Sequence, residues 1–532
     1  HYYPVGPAVE VATTGWGLGS WGGSKTGQFT STLSSSINAS VTSLTMASST
    51  SFPSSGTVLI GTELITYTAN SGGTLSGLTR GAKGTTAATH SSGATVTDAS
   101  NFFAWNAATS GDIVTAPGLW SLDNFGNKLI ATINGGEAFE WDSNPTGATS
   151  TRATIITGAP TASAFSLVST PDRHLLFFGT ETTIGTKSTQ DPMFVRFSSQ
   201  EDINTYTPSA TNTAGTQRLA DGSKIVGAIR GRDAIYVWTD TALFTMRFVG
   251  PPFTFSFQQV GTNCGLIGQN AAVEVDGTAY WMSENGFFRY AGRLESLPCL
   301  VEDHVFDDIN TTPKQHINAG LNNLFGEVIW FYPNSGSGTV NRMVAYNYLD
   351  SSPERPVWTV GTLARTAWQD SAVFGKPHAT EYDPDAETPD SDVNYVHGNT
   401  DGVSTYYEHE TGLNQVKGGS TTAISASIES GDFDIGQQGL AGDGEFMMKI
   451  RRVLPDFLAQ TGDAKVTLNL RDFPNDTQAS SSLGPFTINS STKKIDTRAR
   501  ARSISLKVEN DSTSQFWKLG TFRIDYQPDG RR

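Results

Sequence analysis

An all-β fold is what this 532-residue sequence predicts: an irregular β-propeller with a small β insertion near its N-terminus and a C-terminal β-sandwich or platform domain. Three observations predict it. Charged residues make up only 16% of the chain and glycines number 55, a composition far from that of helix-rich proteins. Strongly apolar runs of about five residues recur, each followed at hairpin distance by an aromatic-rich run. Asn-Gly and Asp-Gly pairs punctuate these runs and supply the positive-φ positions that two-residue hairpin turns need.

The elements follow in chain order. Residues 1–29 are rich in Gly and Trp, show neither a strand nor a helix period, and read as an extended arm whose aromatics, Trp16 and Trp21 among them, dock on another surface. The chain opens at His1 in extended-looking sequence, which leads us to expect residues upstream of it. Residues 30–57 hold 17 Ser or Thr among 28, a composition that suits a linker. Apolar alternation nevertheless runs through Val41-Thr42-Ser43-Leu44-Thr45-Met46, and two β-branched runs flank Gly61-Thr62 as in a hairpin. Residues 30–98 therefore read as a small, nearly uncharged β insertion.

From about 120 to 412 a unit repeats loosely. Its apolar strands begin near 128, 174, 234, 278, 328 and 394, and include His174-Leu175-Leu176-Phe177-Phe178 and Val328-Ile329-Trp330-Phe331-Tyr332; Asn394-Tyr395-Val396-His397 is the weakest. Their partners include Leu243-Phe244-Thr245-Met246-Arg247-Phe248 and Gly286-Phe287-Phe288-Arg289-Tyr290. A period near 45 with insertions is what sheets arranged around an axis produce, and radial closure shields the edges of many short strands. Two stacked sandwiches would use the same strands. The propeller is placed at residues 99–415. Helix is scarce, with residues 301–310 the best segment because Val301, Val305 and Ile309 share a face. After the Gly-rich break at 417–420, residues 421–532 alternate as half-buried strands do, beginning with 423–435.

Charge and chemistry narrow the function. The 36 Lys and Arg against 51 Asp and Glu leave a net charge of −15, which argues against general nucleic-acid binding but not against DNA passing through without being held. Two cysteines, Cys264 and Cys299, are too few for a disulfide framework. No apolar stretch reaches the ~18 residues of a spanning helix. His304 beside Asp303 lacks the His-Glu-x-x-His spacing of a metal helix and reads as part of a solvated acidic face. The loop Asp383-Pro384-Asp385-Ala386-Glu387 lacks the Gly and Glu that a Ca²⁺ loop requires. Ser283-Glu284-Asn285-Gly286 reads as a hairpin turn. No phosphate loop, nucleophile elbow or Cys/His cluster is present, so neither catalytic residues, cofactor nor metal is expected.

One charge pattern stands out. Lys493, Lys494, Arg498, Arg500, Arg502 and Lys507 fall within fifteen residues with Asp496 the only acid. If Arg498-Ala499-Arg500-Ala501-Arg502 is a strand, three guanidinium groups project from one face, either as a charged edge guard or as a contact for an acidic neighbour or phosphate.

The order of segments from Thr262-Asn263-Cys264-Gly265-Leu266-Ile267 through Tyr280-Trp281-Met282 and Val301-Glu302-Asp303-His304, together with the ending Trp517-Lys518-Leu519-Gly520-Thr521-Phe522-Arg523-Ile524-Asp525-Tyr526, resembles the propeller-bearing tail nozzle proteins of short-tailed bacteriophages, of the tail tubular protein B and DNA-stabilising tail hub type. The similarity spans about residue 100 to the end, and residues 30–98 resemble a small β insertion of phage structural proteins. The resemblance implies a structural virion protein: a homohexameric ring below portal and adaptor, contacts with tail fibres or spikes, and a channel through which genomic DNA is retained and ejected without sequence-specific binding. It carries over no catalytic residue. The competing reading is a carbohydrate- or receptor-binding propeller, since exposed aromatics stack on sugars.

Overall fold

The computed structural model describes residues 30–98, 119–142, 153–383 and 403–531, apart from short breaks at 51, 53, 83–84, 171, 373, 418, 437–438, 441–443, 474–478 and 480. The chain forms two compact units divided between His409 and Glu410. Among the described residues there is one α-helix, Glu302–Phe306.

The insertion holds two small antiparallel sheets. In the larger, the order is Thr30–Thr32, Thr95–Asp98, Gly56–Ile60, Glu63–Tyr67. The expected turn is there: Ile60 pairs with Glu63 across Gly61-Thr62, and Gly61 takes φ +60°, which a Cβ would strain. Leu44, Met46, Val58, Ile60, Ile65, Leu75 and Val96 form the core. The Ser/Thr tract is thus a folded module, because its few apolar residues all point one way.

Among the described residues six consecutive antiparallel sheets follow, each running in chain order from strand to neighbouring strand. The first comprises Trp120–Phe125, Lys128–Ile133, Ala138–Asp142 and Thr154–Ile155; the second Phe165–Ser169, His174–Phe178, Phe194–Phe197 and Gly215–Arg218. The third comprises Ile225–Arg230, Ile235–Thr239, Ala242–Gly250 and Thr254–Thr262; the fourth Ala272–Val275, Thr278–Ser283, Gly286–Tyr290 and Leu294–Ser296. The fifth comprises Asn318–Asn322, Glu327–Tyr332, Arg342–Asn347 and Trp358–Gly361, and the sixth Ala367–Gln369, His378–Asp383 and Val403–Glu408. The expected apolar strands are the second strands of the first five sheets. Asn394–His397, the weak sixth, lies outside the described residues.

The first strands of successive sheets lie side by side, which makes the array a propeller. Val168 N–H donates to Asp123 Oδ2 at 2.8 Å, joining the first two sheets, and Arg230 in the third reaches both Asp123 (2.7 Å) and the Val168 carbonyl (3.1 Å). A Cβ at Gly227 would fall 2.6 Å from the Gln269 carbonyl, so the third sheet touches the backbone that leads into the fourth there. Ala319 N–H donates to Asn270 O at 2.7 Å between fourth and fifth, and Trp368 Nε1 to Leu321 O at 2.8 Å between fifth and sixth. Between the sheets, Trp238, Trp281 and Trp330 are fully buried. The turn at Asp276-Gly277 has φ +52° and +84°, the geometry that twists a two-residue hairpin correctly.

The helix is shorter than 301–310: it stops at Phe306, with Val305 its one buried residue and Ile309 beyond it bridged to Asn334. In the second unit, Ala426–Glu429, Phe433–Gly436, Ala464–Arg471 and Ser481–Ile488 are held in one sheet around Ser503–Asn510. Ile495–Ala501, Met448–Leu454 and Arg523–Pro528 make another. Ala464–Arg471 alternates strictly, with Ala464, Val466, Leu468 and Leu470 buried. The segment 423–435 is not one strand but parts of three, broken at Ile424-Ser425 and at Gly431.

Candidate charged interface on the second unit

The strand Ile495–Ala501 turns Ile495, Ala499 and Ala501 into the core and Asp496, Arg498 and Arg500 outward. Among the described residues its one ladder partner is Met448–Leu454, which pairs Lys449 with Arg500 and Arg452 with Asp496. On the far side Arg452 faces Asp525 and Leu454 faces Arg523. The outer face of this sheet therefore displays Lys449, Arg451, Arg452, Arg498, Arg500 and Arg523 against Asp496, Asp525 and Asp529.

Part of that charge is spoken for. Arg500 pairs with Asp529 at 2.7 Å, and Asp496 is shared by Arg452 at 2.9 Å and Lys494 at 2.7 Å. Hydrogen bonds from Lys494 and Arg452 hold the Asp496 carboxyl below its ordinary range, and that from Arg500 does the same to Asp529. Among the described residues Lys449, Arg451, Arg498 and Arg523 make no ion pair. The expectation for Arg502 is corrected. The strand ends at Ala501, and the Arg502 guanidinium turns onto the carbonyls of Gly444 (2.7 Å) and Asp472 (3.1 Å) instead of joining the outer face. Trp16 and Trp21 lie outside the described residues.

Three polar constellations were not read from sequence. In the insertion, the fully buried Glu63 carboxylate accepts both ends of the Arg80 fork at 2.8 Å, plus His90, Gly81 N–H and Ala88 N–H. Burial raises its pKa, but these donors outweigh it and hold the group at about 2. In the second sheet, Asp172 bonds His174 Nδ1 at 2.6 Å and His174 Nε2 meets Thr213 Oγ1 at 3.0 Å, the connectivity of a nucleophile triad. The imidazole, however, is fully buried against Phe197 and Phe255, and Thr213 Oγ1 receives Gln200 N–H at 2.7 Å. This group pins the strand Phe165–Ser169 to His174–Phe178 across their turn. The third, around Arg365 and His409, closes the sixth sheet. A histidine opening an otherwise apolar run, as at His174, was the one available sequence signal.

His304 is exposed on its helix, and Asp383 ends a strand whose following loop, 384–402, lies outside the described residues. Among the described residues no group of three or more His, Cys, Asp or Glu is placed to hold a metal. Cys264 and Cys299 are free, and burial pushes both thiols up to about 11. Among the described residues no helix is long and apolar enough to cross a membrane.

No protein-family model and no curated protein matches this chain. Solved structures similar to it include the dihydro-heme d1 dehydrogenase NirN (TM-score 0.31, 11% identity, 50% of this chain and about half, 51%, of that one). BamB from Moraxella catarrhalis gives TM-score 0.28 and 13% identity over 57% of this chain and 84% of that one. An exo-β-1,3-galactanase from Phanerochaete chrysosporium gives 0.25 and 9% over 80% and 99%. Likenesses of this size carry no argument about function.

Proposed function

We propose that this chain is a structural ring protein of a short-tailed phage tail, a nozzle through which the genome is retained and ejected. The observation that carries the reading is the outer sheet face of the second unit. A chain with net charge −15 gathers Arg451, Arg498 and Arg523, none of them in an ion pair among the described residues, with Lys449 near Asp529, on one sheet face, as a contact for an acidic neighbouring subunit would require. The order of sequence segments that resembles the tail nozzle proteins supports it further, and a chain of net charge −15 is not built to hold DNA phosphate. In this reading the chain is not an enzyme, its partners are its own copies, the adaptor and portal above, and tail fibres beside, and its place is the virion.

Imaging and native mass of the full chain test it. A six-fold ring with an axial channel, found on the tail axis of particles, is expected; a stable monomer, or a trimer away from that axis, overturns it.

A second reading, a carbohydrate-binding propeller, is favoured by one feature. On the sixth sheet Tyr406, 51% exposed, stacks on His378 at 5.3 Å with Phe374, 61% exposed, against the same imidazole at 4.7 Å. Glycan-array binding lost on Tyr406→Ala would support this reading; no binding by the intact chain would end it.

A further inference from the structure

We infer that copies of this chain join head to tail through the propeller, the hairpin tip 248–253 of one copy seating on the Leu324, Phe325 and Leu349 patch of the next. The inference rests on the ring reading above and names a contact that builds it.

The hairpin is overlong. Its strands, Ala242–Gly250 and Thr254–Thr262, are nine residues each, whereas the third and fourth strands of the first, second, fourth and fifth sheets run from two to six. Burial stops at Met246, beyond which Phe248 is 41%, Val249 55% and Phe253 78% exposed. The root is fixed, since the Phe248 ring lies 5.7 Å from both His174 and Phe255, and Phe255 stacks edge-on to Phe197 at 4.9 Å. A rigid stem carrying three apolar side chains into water gains free energy only when they are covered.

A matching seat lies on the fifth sheet. Leu324 and Phe325 form the turn between Asn318–Asn322 and Glu327–Tyr332, and Leu349 lies on Gly326, where a Cβ would fall 2.4 Å from Leu349 Cδ1. Leu349 is 68% exposed and Phe325 54%. The frame beneath is hydrogen-bonded: Asn347 Nδ2 to Phe325 O at 3.0 Å, Tyr348 O–H to Asn323 Oδ1 at 2.9 Å, and Asn323 Nδ2 to Asp370 Oδ2 at 2.6 Å.

Charge matches the two surfaces. Arg247 and Arg293 flank an open recess of about 530 Å³ beside the hairpin and make no ion pair among the described residues. The seat is rimmed by Asp350 and Asp370, which make none either. A finger with Arg247 at its base and Arg293 of the fourth sheet beside it, and an acid-rimmed seat on the same chain, fit each other and not themselves, which defines a heterologous contact of the kind that closes rings. In up-and-down sheets the first–second and third–fourth turns share one end, so tip and seat lie at the same end of their sheets.

The test uses the full chain, with oligomer mass read by sedimentation or native mass spectrometry and folding by circular dichroism. Phe253→Asp and Leu349→Asp each replace an exposed side chain, and each should give folded monomers. Mixed one to one, they should form a dimer and no ring, because one intact finger meets one intact seat. Arg247→Glu and Asp350→Arg should each weaken assembly at least tenfold, and the double variant should recover it. Wild-type rings that persist in Phe253→Asp and Leu349→Asp overturn this contact while leaving the ring reading standing. A wild type that stays monomeric overturns both.

Discussion

Arg365 Nε donates to His409 Nε2 across 2.8 Å, joining the chain just before the sixth sheet to the chain just after it, so a buried guanidinium holds a neutral imidazole. Arg365 also lies 4.0 Å above the Tyr407 ring and 3.6 Å from Glu381. Burial first, then Arg365 and His378, push the His409 pKa down to about 4.

The sign of the resulting pH dependence follows from which state binds the proton. Between pH 6.5 and 4 unfolded His409 is protonated and folded His409 is not, so stability is lost as pH falls through that window. The loss should reach at most about 3 kcal/mol. Denaturation of wild type and His409→Gln across pH 4–7 checks it: the variant should be flatter, and equal slopes would reject the assignment.

Glu63 loses stability in the same direction, but at lower pH. Its folded pKa of about 2 lies below its ordinary value, so its contribution is present above about pH 4.5 and vanishes only as pH falls toward 2. Glu63→Gln should leave Arg80 buried without its anion and destabilise the insertion by about 3–5 kcal/mol. Limited proteolysis of the full chain should then cut within residues 30–98 while the propeller resists. An insertion as resistant as wild type would refute this.

Arg498 and Arg500 should separate under mutation. Arg498→Glu removes an unpaired cation and should weaken assembly while leaving the thermal midpoint unchanged. Arg500→Glu also faces Asp529 at close range, so it should disturb assembly and loosen the chain end near Asp529. Arg502→Ala should lower the stability of the second unit without altering assembly, since its contacts are carbonyls of its own chain. Normal particle assembly with Arg498→Glu would remove the interfacial role.

Gly320 lies against the indole of Trp368, where a Cβ would come within 2.5 Å of the ring. Gly320→Ala should therefore push the fifth and sixth sheets apart at a cost of about 1–3 kcal/mol. Loss of the Trp368–Leu321 hydrogen bond should appear as a shifted tryptophan emission. An unchanged midpoint and spectrum would mean the two strands are not packed as described.

What was legible in the sequence follows burial. The second strands, such as His174–Phe178 and Glu327–Tyr332, are nearly continuous apolar runs because both faces are covered by neighbouring sheets. The first strands were not legible: Asn318–Asn322 reads Asn-Ala-Gly-Leu-Asn, and small or polar residues are what close approach between adjacent inner strands demands. Alternation correctly gave the outward face for Arg498 and Arg500 but overran at Arg502, because periodicity does not mark where a ladder ends. The polar pins were illegible for a different reason. Glu63 and Arg80, or His174 and Thr213, are distant in sequence and meet only once the chain is folded.

The strand order carries a consequence for synthesis. Each propeller sheet pairs strands that are neighbours in sequence, so it can close as its own residues leave the ribosome, without waiting for later chain. The second unit cannot. Ser503–Asn510 must arrive to hold Ala426–Glu429, Phe433–Gly436 and Ala464–Arg471 together, and Arg523–Pro528 must follow to cover Met448–Leu454. The cationic face is therefore assembled only when translation is nearly finished, after every propeller sheet has had its own residues to close.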